Sequence, residues 1–117
     1  GQAEGRLLRM LGTETVEVAF KQEVRTGRAV LRSSVSGELK DYEIQIQELR
    51  MNESDVNKGM IFYVTDPDLL ALTGGVIQGM SGSPILQNGR LIGAVTHVFV
   101  NDPAKGYGIF AENMIEH

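Results

Sequence analysis

The chain of 117 residues has no cysteine, which excludes disulfide staples and thiolate metal sites and leaves the redox compartment open. It has no excess of positive charge. Eleven Lys and Arg face 15 Asp and Glu, a net charge of −4, so nothing points to nucleic acid or an anionic membrane surface as partner. No apolar run approaches the roughly 18 residues needed to span a bilayer, and no signal-peptide pattern opens the residues given. Internal repeats, low-complexity tracts and linkers are also missing, so one domain over 1–117 is expected. At this length folding buries roughly 65% of the unfolded surface, which makes the core modest. Both ends read as abrupt, as if trimmed from a longer chain, with His117 as the remnant of a tag.

What is present reads as mostly β. Val16, Val18 and Phe20 alternate with Glu17, Ala19 and Lys21, the two-residue period of a half-buried strand. After the Arg25-Thr26-Gly27 break, Ala29-Val30-Leu31 opens a second strand, and Ser36-Gly37-Glu38 turns the chain again. Tyr42, Ile44 and Ile46 against Glu43, Gln45 and Gln47 form the cleanest alternation in the chain. A polar loop over 52–59 precedes Met60–Val64, a continuous apolar run suited to a strand buried on both faces. Asp66-Pro67, closed by Gly74, predicts a short helix with Asp66 as N-cap and Pro67 at N1. Strands Ser83–Gln87 and Arg90–Val100 flank Asn88-Gly89, a pair that supplies positive φ at both centres of a type I′ turn. Asn101-Asp102-Pro103 reads as a turn, and Tyr107–Phe110 as a last short strand. Residues 1–12 fit least well, since Leu7, Leu8, Met10 and Leu11 suit either a strand or a helical turn. Seven or eight short strands and one short helix imply an antiparallel β-barrel or sandwich.

One segment carries chemistry: Thr73-Gly74-Gly75-Val76-Ile77-Gln78-Gly79-Met80-Ser81-Gly82-Ser83-Pro84-Ile85. A nucleophilic serine needs a tight turn, a free hydroxyl and neighbouring N–H groups converging on one small space. Those donors hold the oxyanion of the tetrahedral intermediate, and losing one costs on the order of 10²–10³ in rate. Flanking glycines let the backbone take that shape, and the strand after Ser81 builds a wall for substrate. A strand in place of a helix at this point excludes the lipase-type elbow. Read blandly, Gly-x-Ser-Gly-x-Pro is simply a turn.

Gly79-Met80-Ser81-Gly82-Ser83-Pro84 resembles the nucleophile loop of chymotrypsin-like peptidases. With Val64–Pro67, Thr73–Ile85, Gly93–Pro103 and Gly106–Gly108, the chain is similar to the SpoIVB sporulation peptidases from Lys21 to Asn113, most densely from Thr65 onward. The resemblance implies an antiparallel β-barrel of the chymotrypsin-like type and a serine endopeptidase needing no cofactor or metal. It gives Ser81 as nucleophile, the N–H groups of Gly79 and Ser81 as oxyanion hole, and Thr96, His97 and Val98 as the segment that pairs with substrate backbone. Asp66 matches the aspartate assigned to the family's triad, although helix capping accounts for it equally well. The implied partners are a protein or peptide substrate and a membrane-bound regulator of an intramembrane protease. That regulator is cleaved after self-cleavage, which leads to sigma-factor activation. The implied location is the intermembrane space of the forespore, behind an N-terminal membrane anchor.

The family's catalytic His belongs to a Gly-His motif upstream of these residues, so the chain alone is expected to be inactive. His97, inside the apolar run Val95–Val100, suits a packed histidine better than a general base. Glu53 and Asp55 on the polar loop suit solvated carboxylates better than metal ligands. The walls expected for a specificity pocket, Thr73–Gly79 and Thr96–Asn101, lack a charged base and predict no preference for Arg or Lys. Two other functions stay open: a peptide-binding barrel that adds a strand beside Thr96–Val98 without cutting it, and a purely structural β domain. An exposed half-barrel face also suggests a dimer.

Overall fold

The structure, a computed structural model, describes residues 7–11, 14–34, 37–50, 54–55, 58–73, 80, 82–99 and 102–112. Eight strands are formed: β1 Leu7–Leu11, β2 Glu14–Val18, β3 Gly27–Ser33, β4 Lys40–Leu49, β5 Met60–Val64, β6 Pro84–Gln87, β7 Arg90–Phe99 and β8 Asp102–Phe110. One α-helix, α1 Pro67–Thr73, follows β5. Six strands run in the order β7-β6-β3-β4-β5-β8, and β8 pairs back onto β7, closing an antiparallel barrel. This is the mostly-β, antiparallel barrel with one short helix that was expected.

The hairpin β1–β2 lies outside the barrel. It is held by a short parallel pairing of Glu17 and Val18 with Arg90 and Leu91, extended by the Ala19 N–H donating to the Leu91 carbonyl at 2.9 Å. The attachment explains why Leu91–Val95 and Ile85-Leu86 read as continuous apolar runs. Ile85, Ile92 and Val95 face the barrel interior, while Leu86 and Leu91 point outward into a second cluster with Val16, Val18 and Ala111. A strand covered on both faces has no polar side to show.

Local expectations hold with three differences. The Asn88-Gly89 turn is as expected, with φ of 53° and 79°, and Leu7–Leu11 is a strand. The first strand, however, stops at Val18. Ala19 turns inward and is buried, and Phe20 opens a 3-10 turn over Lys21–Glu23 because Glu23 reaches back to accept the Phe20 N–H at 2.9 Å. Second, Asp102-Pro103 begins β8 and is no turn. A proline lacks only a donor, so it is tolerated at a strand's start, and pairing with β7 overrides the local turn preference. Third, the alternation of β4 slips at a bulge between Ile46 and Glu48. Of the 52–59 loop, only Ser54, Asp55, Lys58 and Gly59 are described.

Two polar groups inside the fold, the Gln87 amide and the Tyr42 hydroxyl, have surroundings that alternation does not show. Gln87 is buried beneath the β3 entry, where its Oε1 accepts the Arg25 N–H at 3.0 Å and its Nε2 donates to the carbonyls of Arg25 and Arg28 at 2.9 and 3.1 Å. Tyr42, 1% exposed in the core, carries a hydroxyl that bonds to nothing among the described residues. Removing an unsatisfied buried hydroxyl while keeping the ring removes a desolvation cost. Tyr42→Phe is therefore expected to leave stability unchanged or raise it by about 1 kcal/mol. A urea midpoint clearly below wild type would contradict that.

Candidate active site

Ser81 and Gly79 lie outside the described residues, as do 74–78, so the site is built from what brackets them. Before Ser81, Met80 is 2% exposed and joins the barrel core, which anchors that side of the motif. After it, Gly82 sits at φ +90°, where side-chain-bearing residues are strained, and its N–H donates to the Val95 carbonyl at 2.7 Å. The Ser83 N–H returns to the Met80 carbonyl at 3.0 Å, and the Val95 N–H donates to the Ser83 carbonyl at 3.0 Å. From there Pro84 pairs with Ala94 and β6 begins.

These bonds extend the β6–β7 hairpin by one more step beyond Pro84 and Ala94. The residue after Ser81 is hydrogen-bonded to the residue before Thr96, so Gly82-Ser83 lies beside the strand that runs on into Thr96–Val98. Thr96 is half-buried. His97 is exposed on the outer barrel face with its ring edge-on to Tyr107, at 6.5 Å between centroids and 87° between planes. The packed histidine suggested by the apolar run is thus not found. A bulge between Val95 and His97 turns this side chain outward.

Asp66 has the capping role its sequence predicts. Its Oδ1 accepts the Asp68 N–H at 2.9 Å, and its carbonyl accepts the first helical bond from Leu70 at 3.1 Å. It has a second role that sequence did not reveal. Its Oδ2 accepts the Glu43 N–H at 3.0 Å, while the Thr65 and Asp66 N–H groups both donate to the Glu43 carbonyl at 3.1 Å. The carboxylate therefore pins α1 to β4, which stands across the barrel from β7. The Glu43 N–H holds the carboxyl below its ordinary value of 3.8, against the opposing effect of burial, with the Asp68 and Leu69 N–H groups and Lys40 adding to the shift.

Two consequences follow for Asp66→Asn. As a cap alone, Asn would replace Asp almost neutrally. An amide has one acceptor oxygen where the carboxylate uses two, so one of the two N–H partners loses its bond. The substitution is expected to cost about 1–2 kcal/mol. The pH dependence should change as well. Because the folded-state value is depressed, the Asp66 contribution is fully present above the unfolded value and is lost as pH falls through the folded one. Chemical denaturation between pH 7 and 2 should show wild type losing stability more steeply below about pH 4 than the Asn variant. Parallel curves would remove Asp66 from the clamp.

Comparison with known families decides the assignment. The family model of the SpoIVB peptidase S55 matches residues 1–115. The chain belongs to the SpoIVB peptidase family. The match includes the first dozen residues, on which the motif resemblance did not rest, and it makes this a peptidase domain of the S55 type. Neither the curated proteins nor the solved structures compared with it gave a match.

Proposed function

We propose that this S55 domain is the nucleophile-bearing part of a serine endopeptidase of spore formation. Ser81 attacks the scissile carbonyl, the Gly79 and Ser81 N–H groups receive the oxyanion, and Thr96–Val98 hold the substrate backbone. The observation that supports the reading is the pair of bonds linking Gly82 and Ser83 to Val95, which sets the residues after Ser81 beside the strand running into Thr96–Val98, in a chain of this family. A serine hydroxyl is a weak nucleophile until a base takes its proton. The only histidines here are His97 and His117, and neither corresponds to the family's Gly-His motif. The base is accordingly assigned to an upstream segment, and the isolated chain is assigned no turnover. By the same resemblance Asp66 would orient that base, in addition to its clamp.

The family likeness also supports the wider setting. The parent cleaves itself and then a membrane-bound regulator of an intramembrane protease, releasing a late sigma factor. It does so from the intermembrane space of the forespore, held by an N-terminal anchor. A second copy across the face that would meet the upstream half is the expected oligomer. Labelling with a fluorophosphonate probe tests the core of the proposal, because the probe needs an activated serine. Labelling at Ser81 that appears only when the upstream half is supplied, in cis or in trans, supports it. A parent enzyme that keeps its proteolysis without Ser81 refutes it, and a peptide bound beside Thr96–Val98 but never cut would favour the non-catalytic barrel.

A further inference from the structure

The outer face of β7 and β8, next to the proposed substrate strand, carries an ordered set of rings and cations. Phe99 stacks on Tyr107 with centroids 4.5 Å apart and planes at 27°, and the His97 ring stands nearly perpendicular to that of Tyr107. Lys105 holds its ammonium 4.8 Å from the Phe99 ring centre and 5.4 Å from that of Tyr63 on β5. Lys58 lies 5.4 Å over Tyr107. Neither ammonium is paired with a described carboxylate, in a chain whose net charge is −4. Two cations gathered on one aromatic face of an acidic protein call for an anionic occupant.

Strand pairing says how that occupant would lie. β6 accompanies β7 only as far as Ala94, so beyond that point the described strands border β7 on the β8 side alone. An extended segment added along 96–99 would run about 4.8 Å from β7, with alternate side chains over the outer face. The Lys105 ammonium lies over both the Phe99 ring on β7 and the Tyr63 ring on β5, and it is the nearer of the two cations to a side chain added opposite Phe99. If Ser81 is the nucleophile, the cut falls near Val95, where Gly82 is bonded. An antiparallel segment then places the residue opposite Phe99 about four positions before the scissile bond.

We propose that this face selects substrate chains with acidic residues on the N-terminal side of the cut, their carboxylates on Lys105 and Lys58 and their apolar side chains on Phe99 and Tyr107. The position relative to the cut rests on the peptidase reading; the affinity for an acidic strand does not. Cation–π contacts and ion pairs at a surface are each weak, so binding is modest and sensitive to salt.

The test is an NMR titration of the ¹⁵N-labelled 117-residue chain with a capped decapeptide alternating Glu and Ala, and with its Lys-Ala counterpart. The acidic peptide should shift the amides of Phe99, Lys105 and Tyr107, and bind roughly tenfold or more tightly than the basic one. Lys105→Glu, a half-buried surface change whose folding the same spectrum checks, should weaken the acidic peptide by roughly tenfold or more, with Lys58→Glu acting in the same direction. Equal binding of the two peptides, shifts confined to other strands, or the same amides shifting with protein concentration alone would overturn the proposal, the last by showing a second copy as occupant. Ser81→Ala separates the two readings. Acidic-peptide binding together with proteolysis that survives Ser81→Ala in the parent sinks the peptidase reading and leaves the surface. Ser81-dependent proteolysis without peptide binding sinks the surface and leaves the peptidase.

Discussion

Gly93→Ala is expected to remove a large share of the chain's folding stability and to move its urea midpoint well below that of wild type. Gly93 lies in β7 opposite Phe110, at the seam where β7 and β8 close the barrel. A Cβ built there overlaps the Ile109 carbonyl oxygen and comes 2.6 Å from Met60 Cε. The methionine end can swing away, but the carbonyl belongs to the β8 backbone. It can move only if the ladder opens. Overpacking a well-packed interior costs about 1–3 kcal/mol even when side chains give way. With ladder bonds lost as well, a cost of about 4 kcal/mol or more is expected, at the exceptional end for one substitution. A domain of this size has about 5–15 kcal/mol in total.

Gly108→Ala is the matched control. Its added carbon would meet the Ala94 carbonyl at 3.1 Å, with Met60 Cγ at 3.1 Å and Ile85 Cδ1 at 3.2 Å. Shifts of a few tenths of an ångström relieve those contacts, so a cost of about 1–2 kcal/mol is expected. Urea denaturation followed by circular dichroism reads both variants. A Gly93→Ala chain within about 1 kcal/mol of wild type would mean that β7 and β8 do not close as described.

Ser81→Ala is expected to abolish proteolysis in a longer parent that carries the upstream Gly-His segment, without changing its unfolding midpoint. In a serine peptidase, removing the nucleophile costs about 10⁶ in kcat, and the oxyanion hole with substrate binding leaves a remainder of about 10³ over water. An ordinary assay does not register that remainder. The comparison that isolates the mechanism is between the parent, its Ser81→Ala variant and the 117-residue chain alone. Self-cleavage by the first and none by the other two is the expected pattern. Robust Ser81-dependent hydrolysis by the 117-residue chain would overturn the assignment of the base to an upstream segment. His97 would then be the first residue to test, although it lies exposed on the outer barrel face.

Much of this fold is local chemistry that a linear reading reaches. Tyr42, Ile44 and Ile46 are buried on β4 because alternation is the geometry of a strand with one covered face. Asn88-Gly89 takes positive φ at both positions because that pair tolerates it. Asp66-Pro67 starts α1 because a carboxylate can cap and a proline needs no donor at N1. The Gly-x-Ser-Gly motif and its surroundings were likewise legible, since a family signature is a property of order along the chain.

Tertiary structure alone decided the rest. Nothing near Asp66 announces that its second oxygen binds the Glu43 N–H, 23 positions earlier. Leu86 and Leu91 look like barrel interior until β2 is seen covering them from outside. His97 was misread because the bulge that turns it outward depends on the register of β7 against β8, set by pairing with Tyr107 and Gly108. The same register stacks Phe99 on Tyr107 and carries Lys105 over both neighbouring strands. Periodicity records which face a residue is on, but which residues share that face is fixed by long-range backbone pairing, whose partners lie tens of positions away.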